Sequence, residues 1–167
     1  MRRLHLFLIV LCVFGAVSCS QESNGRLDYV MDHADILTDD EEAALTKQVR
    51  MLEDSIGSQI VVLTINSLDG EKIENYSLRR AEEMKIGRKD YDDGILITAA
   101  VRDRQMRIEV GIGLENIIKD EIASQILSDQ MAPMFREEKY YEGFRLSIER
   151  LSALIIENKD LVGSRPH

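Results

Sequence analysis

The chain is poor in cysteine and histidine, the side chains that most often serve as nucleophiles, bases and zinc ligands. Its two cysteines are Cys12 and Cys19, so the chain after residue 19 forms no disulfide. Of its three histidines, His5 lies near the start and His167 is the last residue, which leaves His33. This composition argues against thiol catalysis, a catalytic triad and a Cys-rich or His-rich zinc site. A hydrolase of this composition would have to use carboxylates and a metal ion.

Basic residues are fewer than acidic residues. The chain has 21 lysines and arginines against 30 aspartates and glutamates, a net charge of -9. Residues 1–18 hold two of the arginines and no acidic residue, so the rest of the chain has 19 basic and 30 acidic residues, a net charge of -11. Such a surface repels nucleic acid and anionic lipid, and it favours cations as ligands.

A long apolar run occurs only at the start of the sequence. Residues 4–17 are almost wholly apolar, follow Met1-Arg2-Arg3 and lead into Ala16-Val17-Ser18-Cys19. The run is shorter than the roughly 20 residues of a spanning helix, which is typical of an export signal. Its end resembles the lipobox of bacterial lipoproteins, whose cysteine carries the lipid, although Ala16 stands where leucine is usual. The alternative is an ordinary secretory signal in which Cys19 is incidental.

These features predict how the chain is divided. We expect a signal peptide over residues 1–18, a lipidated Cys19 with a tether that reaches residue 27, a folded domain over residues 28–157 and a flexible tail over residues 158–167. Acyl chains on Cys19 would hold the domain at a membrane surface without spanning it. The predicted location is therefore the bacterial envelope, with the periplasm as the compartment of an exported, membrane-anchored domain.

Apolar periodicity predicts alternating helices and strands in the body of the chain. Thr38 and Glu41 form a capping-box signature, and apolar residues then recur at helical spacing until Gly57. The elements predicted after this helix are a buried strand over 59–65, a helix over 73–86, a strand over 94–100, a half-buried strand over 105–110, a helix over 119–131 that Pro133 ends, and a helix from residue 140. This alternation predicts a layered α/β domain with a mixed sheet.

An acidic pair and a pair of glycines flank the two strands of a predicted hairpin. Asp92 and Asp93 directly precede the strand that begins at Gly94, and Gly111 and Gly113 end the next strand. A hairpin brings both pairs to one end of the sheet. Carboxylates suit Ca²⁺ and Mg²⁺, although the spacing is not that of an EF-hand. The residues alone leave open a second interpretation, a turn whose aspartates cap backbone N–H groups.

The glycines and the remaining acids also have two interpretations each. Gly111 and Gly113 could offer N–H groups to an anion, but a bend that ends the strand is simpler because P-loop and dinucleotide signatures are absent. Asp32 and Asp120 are typical of residues that cap a turn or start a helix. Glu109 is expected on a solvated strand face.

Several motifs occur in one order along the chain. They are Val30-x-Asp32-x-Ala34-x-x-Leu37-Thr38, Gly57-x-Gln59-Ile60, Ile86-Gly87, Asp92-Asp93-Gly94-Ile95-Leu96, Arg107-Ile108-Glu109-Val110-Gly111-x-Gly113-Leu114-Glu115, Pro133-x-Phe135-Arg136 and Tyr140-Tyr141-x-Gly143. In this order they resemble the TPM domain family over about residues 28–156. That family includes thylakoid-lumen proteins, a photosystem repair factor, an animal receptor modulator and many exported bacterial proteins.

The resemblance implies a fold, a site and an activity. The implied fold is a three-layer α/β/α sandwich with a small Rossmann-like mixed sheet, and plant members have acid phosphatase activity. The acids that match the family's loop motifs, and are thereby the implied ligands of a divalent cation such as Ca²⁺, are Asp32, Asp92, Asp93, Glu109 and Asp120. The matching glycines of the loop backbone are Gly94, Gly111 and Gly113. The family often has asparagine at the position of Asp93, and a small or hydroxyl residue at that of Lys119.

Two functions from different classes follow, besides a purely structural role for a charged turn without metal. The first is an exported, membrane-anchored accessory or binding module in envelope or protein maintenance, with a bound divalent cation, Ca²⁺ in preference to Mg²⁺, and an envelope protein as a partner. The second is a metal-dependent acid phosphatase that hydrolyses phosphomonoesters. The absence of a recognisable nucleophile favours the first.

Overall fold

The computed structural model describes residues 27–164, and the predicted signal peptide, Cys19 and the tether up to residue 26 lie outside them. The strands are β1 Val30–Asp32, β2 Gln59–Ile65, β3 Gly94–Ala100 and β4 Gln105–Val110. The helices are α1 Asp39–Ile56, α2 Ile73–Met84, α3 Asp120–Ile126, α4 Ala132–Arg136 and α5 Tyr140–Glu157. Short 3-10 turns cover Ile112–Leu114 and Lys159–Leu161. No helix between residues 27 and 164 is both long and apolar enough to cross a bilayer.

Helix α1 begins and ends where its sequence predicts. Thr38 accepts a hydrogen bond from the Glu41 N–H through its hydroxyl, and the Glu41 carboxylate accepts one from the Thr38 N–H, which completes the capping box. Gly57 ends the helix in the left-handed conformation, with φ 94°. The apolar stripe of the helix buries Leu45 and Val49 against the sheet and α5.

The four strands form one mixed sheet in the order β1-β2-β3-β4. Strands β1, β2 and β3 are parallel, and β4 runs antiparallel to β3. Every residue of β3 is buried, because helices cover both faces of the sheet. Helices α1 and α5 pack on one face, and α2 packs on the other. The predicted three-layer α/β/α sandwich with a small mixed sheet is confirmed.

The two helical crossovers of this sheet differ in hand. Strands β1, β2 and β3 are parallel and adjacent in sequence order, so both crossovers advance in the same direction across the sheet. Helices α1 and α2 nevertheless lie on opposite faces. One of the two crossovers is therefore left-handed, whereas about 98% of such connections are right-handed.

The helical segment around Pro133 differs from its prediction. The sequence predicts one helix over residues 119–131 that Pro133 ends. Helix α3 instead stops at Ile126, a π turn covers Leu127–Met131, and α4 then includes Pro133 near its start. In the π turn the Ala132 N–H donates to the Leu127 carbonyl, five residues back. Pro133 is compatible with the first turn of α4 because proline's missing N–H is not needed there.

The carboxyl-terminal segment is held against the domain as far as residue 164. The Gly163 N–H donates to the Gly113 carbonyl at 2.9 Å, and the Asn116 side chain donates to the Ser164 carbonyl and hydroxyl. These contacts place residues 158–164 against the domain in this structure, and the flexible tail over residues 158–167 stays a prediction. Residues 165–167 lie outside the described part of the chain.

Candidate functional site

The predicted ligand carboxylates lie at two opposite edges of the sheet. Asp32 ends β1 and Asp93 directly precedes β3, and these two strands are parallel. Across the sheet Asp32 is aligned with Thr64 and Ala99, which places Asp93 six residues, or about 20 Å, farther back along the strand direction. Two ligands of one Ca²⁺ lie within about 5 Å of each other. Asp32 and Asp93 therefore cannot bind the same ion in this structure.

The acidic pair and the glycines meet at the amino edge of the sheet, the edge where β2 and β3 begin, as the hairpin predicts. The Gly111 N–H donates to the Gly94 carbonyl at 2.8 Å, and the Gly113 N–H donates to the Asp92 carbonyl at 3.0 Å. Both N–H groups are thus bound to protein carbonyls. The glycines form a close backbone contact, which agrees with the bend and leaves neither of these two donors for an anion.

The carboxylate of Asp93 is buried and fully engaged by the protein. One oxygen accepts a hydrogen bond from the Arg88 N–H, and the other accepts bonds from the Arg88 guanidinium and the Ser58 hydroxyl. The ion pair is 2.6 Å long, and the Asp93 side chain is 0% exposed. The guanidinium also stacks on the Tyr91 ring at 3.8 Å. These contacts match the interpretation of the turn as a capped loop, with Asp93 as its anchor.

The other predicted ligands have separate surroundings. Asp92 has a left-handed backbone with φ 50°. Glu109 pairs with Arg107 at 2.6 Å, and because it lies opposite Leu96 in the register, it faces the α2 layer. Asp120 is exposed at the first position of α3. Within residues 27–164, no three His, Cys, Asp or Glu side chains come together as the ligands of a metal ion.

Asp32 is fixed at the carboxyl edge, the edge where β1, β2 and β3 end. One of its carboxylate oxygens accepts hydrogen bonds from the N–H groups of Ile36 and Leu37, at 2.8 and 2.7 Å. The other accepts one from the Thr64 hydroxyl. Asp32 therefore orders the loop that leads into α1, as its interpretation as a cap predicts.

Further acids follow Asp32 along the chain, in the loop after β1 and in the first turn of α1. Burial raises the pKa of Glu42 above its usual value, and the charges of Asp32, Asp39, Asp28 and Asp35 raise it further. We use the term "acidic group" for Asp32, Asp35, Asp39 and Glu42. The last three are not among the residues predicted from the sequence, although their spacing before and within the first turn of α1 is a recognisable pattern. Their negative charges favour a cation with oxygen ligands, but a complete shell would need carbonyl groups and water as well.

A pocket of about 760 Å³ lies at the same edge, where the β3–β4 hairpin meets α4 and the start of α5. Its lining includes the guanidinium-bearing residues Arg102, Arg104 and Arg136 and the aromatic residues Phe135 and Tyr140. We name it the arginine pocket. No local sequence pattern indicates this pocket, because the two groups of residues that line it are about thirty positions apart and come together only in the fold.

Comparison with known proteins gives the family of the chain. The model of the TPM domain matches residues 30–154. A search of curated proteins finds no match. The NMR structure of the N-terminal domain of a protein from P. gingivalis is similar at 25% identity, with a TM-score of 0.73, over 84% of this chain and 89% of that one.

Two further solved structures share the fold. One is the BA42 protein from the psychrophilic bacterium Bizionia argentinensis, at 19% identity and a TM-score of 0.64, over 72% of this chain and 82% of that one. The other is the N-terminal domain of the cg2496 protein from Corynebacterium glutamicum, at 14% identity and a TM-score of 0.61, over 83% of each chain. Together with the family match, the order of strands and helices leads to one conclusion: the chain belongs to the TPM domain family.

Proposed function

We propose that this protein is an exported TPM domain, anchored to a membrane of the bacterial envelope by lipid on Cys19, that acts as an accessory or binding module in envelope or protein maintenance. The basic start, the short apolar run and the small residues before Cys19 support export and lipidation. An envelope protein is the expected partner. The acidic surface argues against nucleic acid.

We further propose that the domain binds a divalent cation, Ca²⁺ in preference to Mg²⁺, at the acidic group. The observation that carries this proposal is the placement of four carboxylates at the end of β1, in the loop that follows and in the first turn of α1, and the raised pKa of Glu42, caused by burial and by the repulsion of neighbouring negative charges, agrees with it. A bound cation would relieve this repulsion. The turn at Asp93 is the weaker candidate, because Arg88 already neutralises its buried carboxylate. Because no three carboxylates of residues 27–164 come together as ligands, at most two carboxylates of the acidic group would bind the ion directly. Loop carbonyls and water would supply the rest of the six to eight oxygen ligands that Ca²⁺ accepts.

This proposal is tested by titrating the full chain with Ca²⁺ and measuring binding by calorimetry and by amide NMR. We expect saturable binding with shifts in residues 32–42. The double substitution Asp39→Asn and Glu42→Gln should weaken Ca²⁺ binding about fivefold to tenfold, because it removes two nearby negative charges. The control Asp90→Asn removes an exposed charge at the amino edge and should change the affinity little. If Asp90→Asn weakens Ca²⁺ binding and the double substitution does not, the ion binds at the amino edge and the proposed site is wrong.

The pH dependence of calcium binding gives a second prediction. A proton on Glu42 removes one negative charge, so Ca²⁺ affinity should fall as the pH is lowered through the raised pKa of Glu42. In the Glu42→Gln variant this part of the pH dependence should vanish. The free energy of unfolding depends on the same proton, because the folded state binds it more tightly than the unfolded state does. Wild-type stability should therefore fall as the pH rises from the ordinary pKa of a glutamate to the raised pKa of Glu42 in the folded protein. The variant should lack that decline, and equal pH profiles for the two proteins would contradict the assignment.

The alternative function is a metal-dependent acid phosphatase. One observation favours it, namely that the acidic group and the arginine pocket lie at the same edge of the sheet, where ligands of open α/β sheets commonly bind. A cation held by carboxylates would orient a phosphate and activate water there. Hydrolysis of 4-nitrophenyl phosphate with Ca²⁺ or Mg²⁺, abolished by Asp32→Asn, would support it. If neither ion raises the hydrolysis rate above that in buffer alone, the phosphatase function is ruled out and the binding module is the remaining candidate.

A further inference from the structure

The arginine pocket concentrates positive charge on an acidic protein. Arg102 and Arg104 come from the hairpin turn, and Arg136 comes from the last position of α4. None of the three takes part in an ion pair within residues 27–164, and Glu138 is the only acidic residue in the pocket lining. Of the seven other arginines of this part of the chain, five pair with carboxylates, namely Arg79, Arg80, Arg88, Arg107 and Arg145.

One wall of the pocket is apolar and rigid. Phe135 packs edge-on against Tyr140 at 5.1 Å between ring centroids, and against Phe144 at 5.2 Å. Phe144 is fully buried, so this cluster ties the wall to the core. Met106 adds a flexible thioether on the β4 side. The pocket therefore joins three unpaired guanidinium groups to a preformed hydrophobic surface.

We propose that the arginine pocket binds an organic anion, whose carboxylate or phosphate group is held by the arginines and whose apolar body lies against Phe135 and Tyr140. Guanidinium groups form bidentate hydrogen bonds with both kinds of acid, and these bonds are the strong ones among protein hydrogen bonds. A small number of polar anchors in a mainly apolar cleft is the usual composition of a small-molecule site. This site is separate from the acidic group and does not depend on cation binding.

Four small probes separate the contribution of the acid from that of the aromatic ring, and together they test both parts of the proposal. Phenylphosphonate and benzoate carry the ring with either acid, inorganic phosphate carries charge alone, and benzyl alcohol carries the ring alone. With the full chain in non-ionic detergent, we expect at least one aryl acid to bind at least tenfold more tightly than inorganic phosphate or benzyl alcohol. Amide shifts should fall on residues 101–106 and 135–140. The aryl acid that binds more tightly identifies the acid of the ligand class.

Substitutions of exposed arginines test the assignment to this pocket. The double substitution Arg104→Gln and Arg136→Gln should weaken binding of the aryl acid at least tenfold and leave the unfolding midpoint nearly unchanged. Arg150→Gln is the matched control, because Arg150 is an exposed arginine of α5 outside the pocket lining. The proposal is overturned if no aryl acid binds saturably below about 10 mM, or if Arg150→Gln weakens binding as much as the double substitution.

Discussion

A Gly113→Ala protein should lose about 3 kcal/mol or more of its free energy of unfolding, the largest effect of a single methyl group that we expect in this domain. A Cβ atom placed on Gly113 would lie 1.7 Å from the Tyr91 carbonyl oxygen, which is backbone and cannot rotate away. The same glycine accepts from Gly163 and donates to Asp92. Moving the loop would therefore break two backbone hydrogen bonds at the amino edge.

Urea unfolding followed by far-ultraviolet circular dichroism measures this loss. The matched control is Gly70→Ala, where a Cβ atom would meet nothing within 4 Å. Gly70 has φ +90°, so alanine there brings only the cost of a left-handed backbone, about 1–2 kcal/mol. Equal losses at the two positions would show that the contact between Gly113 and Tyr91 is looser than described.

An Asp93→Ala protein should lose about 2–3 kcal/mol, because the buried Ser58 hydroxyl and the Arg88 N–H lose their acceptor, while the Arg88 guanidinium, which is 35% exposed, can turn to water. Urea unfolding again gives the free energy. Asp90→Ala, an exposed substitution in the same loop, is the control and should stay within about 0.5 kcal/mol of wild type.

A double-mutant cycle separates an anchor from a metal ligand at this position. If Asp93 anchors the turn through Arg88, the losses from Arg88→Ala and Asp93→Ala will not add, since both remove the same ion pair. If the losses add, and Asp93→Asn instead abolishes calcium binding without destabilising the protein, the carboxylate serves the ion and not the turn.

Local signals in the sequence are sufficient to predict most of the secondary structure. The capping box at Thr38, the glycine after α1 and the β-branched run from Gln59 to Ile65 each act over a few residues, and the corresponding elements have the predicted bounds. The predicted end of α3 is wrong, because the π turn over Leu127–Met131 has no characteristic residue type by which the sequence could reveal it.

The site was harder to predict because it depends on strand direction and order. The family motifs place Asp32 and Asp93 in one ligand set, yet the parallel pairing of β1, β2 and β3 puts them at opposite edges. The partner of Asp93, Arg88, lies five residues away in a loop, a spacing with no regular pattern to reveal it. Side chains that meet only through the tertiary fold, such as Arg104 and Arg136, leave no local signature.

Both ends of the described chain leave the domain at the amino edge. Leu27 lies beside Gln59 and Gly87, and Ser164 is bonded to Asn116 next to the glycine contact. With lipid on Cys19, seven residues would lie between the anchor and Leu27, and these eight Cα–Cα steps would reach at most about 28 Å. The anchor would then be attached at the amino edge, so the carboxyl edge, with the acidic group and the arginine pocket, would be the end of the domain farthest from the attachment point.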